Sequence, residues 1–432
     1  MTGTYLTSIT PDSLSGLVFA FEGIKNTIVL MNGPTGCKFY HSATSDNQML
    51  RQLEFDPLSY PELWYFGQPR VPCTYLDKRD YVYGSREKLQ EAIAYLKNNL
   101  SFDLLVIVNS PGAALIGDDL VKIAEAGNDE FPIMTIETPG YSRHVWEGYS
   151  EATCQLIRRF SVGDKKHMHA EHKKRVNILG MSIYQKYYEG DILELTRLLG
   201  LGDVEVGCVL CAGCSVAEIS NLSDADLNIV VNPIYGMESA RLLQELHGTP
   251  YIVCDGQPIG FTATENLMKQ IFTFLDCNQE KFVEESEKTR ARSYIYLSRL
   301  SSLTGLPKGV KFALQGTSSE CLGFSRFLIQ YFGMSADSIC VLDEGPDFEA
   351  LKNLLKSHSM AEALQKDILH TDAQLVFSDG NIIAKLKALH HEFSGIEISL
   401  PTIGYTDVIP KTCMGLYGSL LICEQIINGI VY

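Results

Sequence analysis

The sequence is short of positive charge. Its 36 Lys and Arg are outnumbered by 52 Asp and Glu, giving a formal charge of −16 and a pI near 5.1. Nucleic-acid affinity comes mainly from basic side chains neutralising phosphates, so this balance argues against nucleic-acid partners. No run approaches the ~20 apolar residues of a spanning helix. The opening "MTGTYLTSIT" lacks the basic start and apolar stretch of a secretory signal. We expect a cytoplasmic protein with no membrane partner. Twelve cysteines in 432 residues are too sparse and irregular for a disulfide framework; most should be ordinary buried thiols. A Walker A loop is also missing, because in "GPTGCKF" Cys37 separates Gly36 from Lys38. The chain is not expected to hydrolyse ATP itself.

What is present is the balance of a soluble globular enzyme, 45% hydrophobic and 20% charged, with length for roughly two to four domains. The dominant rhythm is a short β-branched run, a Gly or Pro turn, then a helical pattern, as in "DLLVIVNSPG", "DDLVKIAEAG" and "FPIMTIETPG". This predicts a parallel α/β fold. The rhythm restarts after the polar stretch 163–175, and again after a long helical stretch, Asn278 to Thr304, and the Pro-Lys-Gly turn at 307–309. We therefore expect three α/β units: 1–170, 171–305 with the connecting helix, and 306–432.

In doubly wound sheets, ligands sit beyond the carboxyl ends of strands. Cys37, in "MNGPTGCKFY" directly behind "NTIVL", lies on such a strand-to-helix loop. Its glycines allow close backbone approach, and its thiol suits a soft metal. Cys73 lies near a loop in "VPCTYLDKRDYVYGSREKLQEAI", where "DYVYGSREKL" opens a helix. "NSPGAALIGDDL" places Asp118 and Asp119 at another helix start, where carboxylates cap free amides and complement the dipole.

"GPTGC", "DYVYGSxxKL" and "LIGDDL", in that order and spacing, resemble component 1 of nitrogenase and its relatives, among them the dark-operative protochlorophyllide reductases. "IETPGYSRHVWEGY" and "LNIVVNPIYGMESARLLQELHGTPYI" extend the resemblance over most of the chain, more weakly after residue 300. It implies three Rossmann-like domains with mainly parallel sheets flanked by helices. It also implies iron–sulfur clusters held in the first domain at a subunit interface, and a catalytic cavity between domains. Cys37, preceded by Gly36, matches the family's glycine-cysteine ligand. The earlier family cysteine falls at or near Asp12, and the third at Ser110 or Pro111, so both of those thiols are replaced. Asp12 is open to two roles, oxygen ligand or helix cap. Cys73 matches none of the three usual ligands and is open to the roles of ligand or nearby thiol. Where the cofactor-bearing nitrogenase subunit has a cysteine and a histidine, this chain has Asn232 and Met414, so an iron–molybdenum cofactor and dinitrogen reduction are not expected.

Two further clusters carry less. "CVLCAGC" spaces Cys208, Cys211 and Cys214 as C-x-x-C-x-x-C. Strand geometry would send Cys208 and Cys211 to opposite faces, leaving Cys214 as the functional thiol of the three. "HMHAEH", with His167, His169 and His172, reads as a solvated connection between units.

The resemblance thus implies a nitrogenase-like reductase subunit. It would take electrons from a separate ATP-dependent iron protein, hold them on a [4Fe–4S] cluster shared between subunits, and reduce an unidentified small molecule. Its ligands would be Cys37, Cys73 and Asp12, with Gly36 and Ser110 beside them. The partner would be a homologous component 1 subunit or a second copy, with exposed apolar surface around 12 to 40 marking the interface. The alternatives are a scaffold for metallocofactor assembly and a cluster-free α/β binding module.

Overall fold

The β-branched runs become parallel strands in the computed structural model of the chain, which describes residues 11–37, 71–126, 131–137, 143–161, 173–404 and 407–431. The His167, His169 and His172 cluster lies outside these. Contacts divide the chain into two units. Among the described residues, one takes 11–161 together with Leu210–Asn221; the other takes 173–209 and the chain from Leu222 on.

The first unit opens with α1 (Ser13–Glu22), followed by β1 (Thr27–Asn32). Two helices, α2 (Asp80–Tyr83) and α3 (Arg86–Asn99), lead to β2 (Leu104–Asn109). The short α4 (Pro111–Ala114) and α5 (Leu120–Glu125) precede β3 (Ile133–Ile136), and α6 (Val145–Phe160) completes this stretch. The strands pair in parallel in the order β1-β2-β3. Both β1 and β2 are buried along their whole length, as expected of strands covered on both faces. Ile28, Leu30, Leu105 and Ile107 pack with Leu89 and Ile93 of α3 and with Leu120 and Ile123 of α5.

Every residue of α1 is buried. It lies against α6 by reciprocal close approach: a Cβ on Gly16 would stand 1.9 Å from the Val145 carbonyl, and one on Gly148 1.8 Å from the Ser13 carbonyl. This corrects the expectation of exposed apolar surface around 12 to 40, so far as those residues are described, because α1 spends its apolar faces inside its own unit. Exposed large apolar side chains of this unit include Val82, Tyr83 and Leu115 instead.

The second unit begins with β4 (Arg175–Leu179), α7 (Tyr188–Gly200) and β5 (Glu205–Val209). The next helix, α8 (Val216–Ser220), belongs to the first unit. The chain then continues with β6 (Leu227–Val230), α9 (Pro233–His247), β7 (Tyr251–Val253), α10 (Phe261–Leu275) and the long α11 (Glu280–Thr304). A further sheet follows, built from β8 (Lys311–Gly316), α12 (Ser318–Arg326), β9 (Ser335–Val341), α13 (Phe348–Ser357), β10 (Leu375–Asp379), α14 (Gly380–Ala388) and β11 (Ser394–Ser399); α15 (Gly415–Val431) ends it. The two sheets run in the orders β5-β4-β6-β7 and β11-β10-β8-β9. Their pairings are parallel, as the alternation of strand and helix predicted.

Candidate functional site

The site of interest lies where β1 and β2 end. Asn32 and Asn109 are the last residues of these strands and stand opposite one another in the register. Both are buried, so their amides must find partners. Asn32 Nδ2 donates to Asn109 Oδ1 at 2.9 Å and to Ser85 Oγ at 3.1 Å, while Asn32 Oδ1 accepts from Thr74 Oγ1 at 2.9 Å. Ser85 in turn donates through its hydroxyl to Asp118 at 2.9 Å. Asp118 therefore fixes the turn between α2 and α3, while its neighbour Asp119 caps α5 by accepting from Lys122 N at 3.0 Å.

Gly33 follows directly. Its N–H donates to Thr74 Oγ1 at 3.0 Å, and its carbonyl accepts from Leu76 N at 2.9 Å and from the Cys73 thiol at 3.0 Å. Tyr75 N donates to the Cys73 sulfur at 3.4 Å. On another side of Gly33, a Cβ would lie 2.5 Å from Ser110 Oγ and 3.8 Å from the Cys37 Cβ. Cys37, Cys73 and Ser110 are thus gathered around one glycine, although they are far apart in sequence. Residues 35–37 begin a helical turn, so Cys37 sits on a strand-to-helix connection as expected.

Each predicted residue has a definite place. Cys73 lies in a segment without regular structure, as expected, and there makes an isolated parallel bridge with Met31 of β1. There it lines an open groove with Tyr75, Lys88 and Tyr95. Ser110 is the N-cap of α4, accepting from Ala113 N at 3.3 Å. Asp12 caps α1, its Oδ1 accepting from the Ser15 N–H at 3.0 Å and hydroxyl at 3.1 Å, and its backbone bridges to His144. A Cβ on Gly36 would meet none of the described residues within 4 Å. Among the described residues, no group of three or more His, Cys, Asp or Glu side chains is placed to hold a metal ion.

Two positions in the second unit have structural work. Asn232 caps α9, accepting from Ile234 N at 3.3 Å, and its amide donates to Thr317 Oγ1 at 3.3 Å. Met414 is buried, and its N–H donates to Asp191 Oδ1 at 3.0 Å. Cys208 belongs to β5, whereas Cys211 and Cys214 lie beyond the strand's end; Cys211 N donates to Cys214 Sγ at 3.3 Å. The predicted split of Cys208 from Cys211 by opposite strand faces is replaced by a turn that brings Cys211 back toward Cys214.

The asparagine pair, Thr74, Ser85 and Gly33 were missed at the sequence level. A signal existed: "TIVLMN" and "LLVIVN" are apolar runs that both end in Asn, a residue disfavoured inside strands.

An iron–sulfur cluster normally takes four thiolates, with occasional substitution by another ligand type. Cys37 and Cys73, flanking a glycine with no Cβ in the way, fit part of such a donor set. Asp12 Oδ1 and Ser110 Oγ are occupied as helix caps, which leaves the two thiols as the donors of this type among the residues singled out in the sequence.

Comparison with known proteins gives the chain's family. A profile of the family described as nitrogenase component 1 type oxidoreductase matches residues 13–430. One of the subunits of the light-independent protochlorophyllide reductase of Synechococcus sp. (strain WH7803) is 28% identical over 247 residues, 55% of this chain and 46% of that protein. Its counterpart in Rhodopseudomonas palustris (strain TIE-1) is 27% identical over 211 residues, 47% of this chain and 39% of that one. The match thus spans about half the length, or less, of these relatives. A solved structure, Nitrogenase Cp1 at pH 6.5, superposes with a TM-score of 0.77 at 16% identity, covering 100% of this chain and 94% of that one. With nearly the whole chain matched by the family's profile, and its fold shared with a nitrogenase, the chain belongs to the nitrogenase component 1 type oxidoreductase family.

Proposed function

We propose that this chain is a component 1 subunit of a nitrogenase-like reductase. It would receive electrons from a separate ATP-dependent iron protein and deliver them to a small-molecule substrate other than dinitrogen. A [4Fe–4S] cluster shared with a homologous subunit or a second copy would store and relay single electrons. The observation that carries this reading is the convergence of Cys37 and Cys73 on Gly33, at the strand ends where α/β sheets place their ligands.

In this reading Cys37 and Cys73 are the chain's thiolate ligands. Cys73 would give up the proton it now shares with the Gly33 carbonyl, because a thiolate and not a thiol binds metal. Gly33 and Gly36 keep side-chain bulk away from the site. Asn32, Asn109 and Thr74 hold the strand ends that carry both loops, and Ser110 stays a helix cap. The absence of the family's cysteine and histidine at Asn232, which caps α9, and at Met414, whose N–H is held by Asp191, supports a substrate other than dinitrogen.

The test is iron and acid-labile sulfide, with low-temperature EPR, on anaerobic protein produced alone and with a candidate partner subunit. About four irons per shared site, lost in Cys37→Ser and in Cys73→Ser, is the expected result. An iron-free complex would leave the cluster-free module.

A further inference from the structure

The sequence motif that the proposed cluster does not absorb is "CAGC", Cys211 to Cys214. It lies in the first unit, on the segment Leu210–Asn221. Both cysteines are buried. Cys211 has φ +57°, a left-handed conformation that side-chain-bearing residues avoid, and Gly213 has φ +96°. The turn brings Cys211 back over Cys214, whose sulfur accepts the Cys211 N–H at 3.3 Å.

The backbone of this turn is clamped. Gly213 N donates to the Gly23 carbonyl at 2.7 Å, Lys25 N donates to the Cys214 carbonyl at 2.7 Å, and the Tyr149 hydroxyl donates to the Leu210 carbonyl at 3.2 Å. A Cβ on Gly23 would stand 1.9 Å from the Cys211 carbonyl. The loop thus grips the end of α1 and the start of β1. Burial pushes the Cys211 thiol well up, and the neighbouring Cys214 adds to that.

We propose that Cys211 and Cys214 are a redox-active dithiol that closes to a disulfide within this loop. The spacing is that of thiol–disulfide oxidoreductase loops, and the left-handed turn at Cys211 folds the two buried cysteines onto one another. The oxidant is a small-molecule disulfide. The Cys214 thiolate, formed by loss of its proton to solvent, attacks one sulfur of the reagent, and the first reagent thiol leaves. The Cys211 sulfur then attacks Cys214 in the mixed disulfide, and the second reagent thiol leaves. In sum, two cysteine thiols are oxidised by two electrons, and one reagent disulfide is reduced to two thiols. Because both sulfurs are buried, exchange proceeds through opening of the 210–214 turn. This inference stands independently of the cluster at Cys37.

The test uses the whole anaerobic protein, incubated with oxidised glutathione or with dithiothreitol, then denatured, alkylated with iodoacetamide and digested after Lys and Arg. One peptide, residues 198–241, carries Cys208, Cys211 and Cys214. After oxidised glutathione it should carry a single alkyl group, on Cys208, and be two hydrogens lighter at the other two cysteines, with no backbone fragments between 211 and 214. After dithiothreitol all three should be alkylated. Cys208→Ala should keep the bridge, and Cys211→Ala and Cys214→Ala should each abolish it. Three alkylated cysteines after oxidised glutathione, a bridge that includes Cys208, or a glutathione adduct that does not resolve would overturn the proposal. The fragment map of the unmutated protein decides the matter even where a variant fails to fold.

Discussion

The Cys73 thiol donates to the Gly33 carbonyl at 3.0 Å, and through this contact a segment in register with the edge of β1 is tied to the loop that carries Cys37. Leu76 N reaches the same carbonyl, and Thr74 takes the Gly33 N–H, so both polar atoms of one glycine are used to dock residues 73–76. Gly33 is central to the site because Cys37, Cys73 and Ser110 all lie against it.

Gly33→Ala should therefore be destabilising. The added Cβ would lie 2.5 Å from Ser110 Oγ and 2.7 Å from Ser110 Cβ, closer than packed atoms tolerate. Overpacking of this kind costs about 1–3 kcal/mol. Ser110→Gly removes both clashing atoms at the cost of a helix cap, about a few tenths of a kcal/mol when glycine replaces serine. Urea denaturation of the two single variants and the double variant should show the double recovering most of the loss. Additive losses would show that the strain lies elsewhere.

Asn32→Leu keeps most of the side-chain volume but removes the amide from a buried network. Asn109 Oδ1 and the Thr74 hydroxyl would each lose a partner inside the first unit. Unsatisfied buried polar groups cost about 1–3 kcal/mol each, so a loss of about 2–6 kcal/mol in unfolding free energy is expected. Hydrogen exchange should become faster in β1 and β2 together, since both strands end on this pair. A loss confined to β1 would contradict the role given to Asn32.

Much of the architecture was legible because strand and helix run on different periods. "KFALQG" is β8 residue for residue, and the long helix expected over Asn278–Thr304 is α11, Glu280–Thr304. Partnership was harder to read. Cys73 pairs with Met31 across 42 positions of sequence, and nothing in "VPCTYL" announces a strand edge. The burial of α1 had a signal that interface reasoning overrode: "SLSGLVFAFE" is apolar nearly all round, the mark of a helix enclosed by its own protein. In "CVLCAGC", strand alternation was extended past the point where the strand ends, at Val209, and the left-handed turn at Cys211 followed from no local propensity.

Asp191 makes the second unit's stability pH-dependent. It is buried, and burial pushes its carboxyl up to about 6, although bonds from Thr412, Met414 and Cys413 pull the other way. The folded protein therefore holds this proton in a range where the unfolded chain, at 3.8, has released it. The stabilisation is fully present below the unfolded value and is lost as pH rises through about 6. Asp191→Asn keeps an acceptor oxygen for the same three partners and removes the titration. Between about pH 4 and about pH 7, the unfolding free energy of the unmutated protein should fall by about 2–3 kcal/mol relative to the variant. Parallel pH profiles would show that this carboxyl titrates normally.

Gly36→Ala separates a ligand role from a folding role at the loop that carries Cys37. Among the described residues nothing lies within 4 Å of the Cβ it would add, so the substitution strains no contact with them. Surface changes of this kind usually stay within about 0.5 kcal/mol, and the unfolding midpoint should be that of the unmutated protein. The space beside Gly36 acquires a meaning if a cluster and the partner chain fill it. In that case the same variant, indistinguishable when iron-free, should retain less iron and sulfide when produced anaerobically with the partner subunit, and its EPR signal should weaken in proportion. Full iron retention with unchanged stability would mean that nothing approaches Gly36 closely, and would move the cluster to the Cys73 side of Gly33.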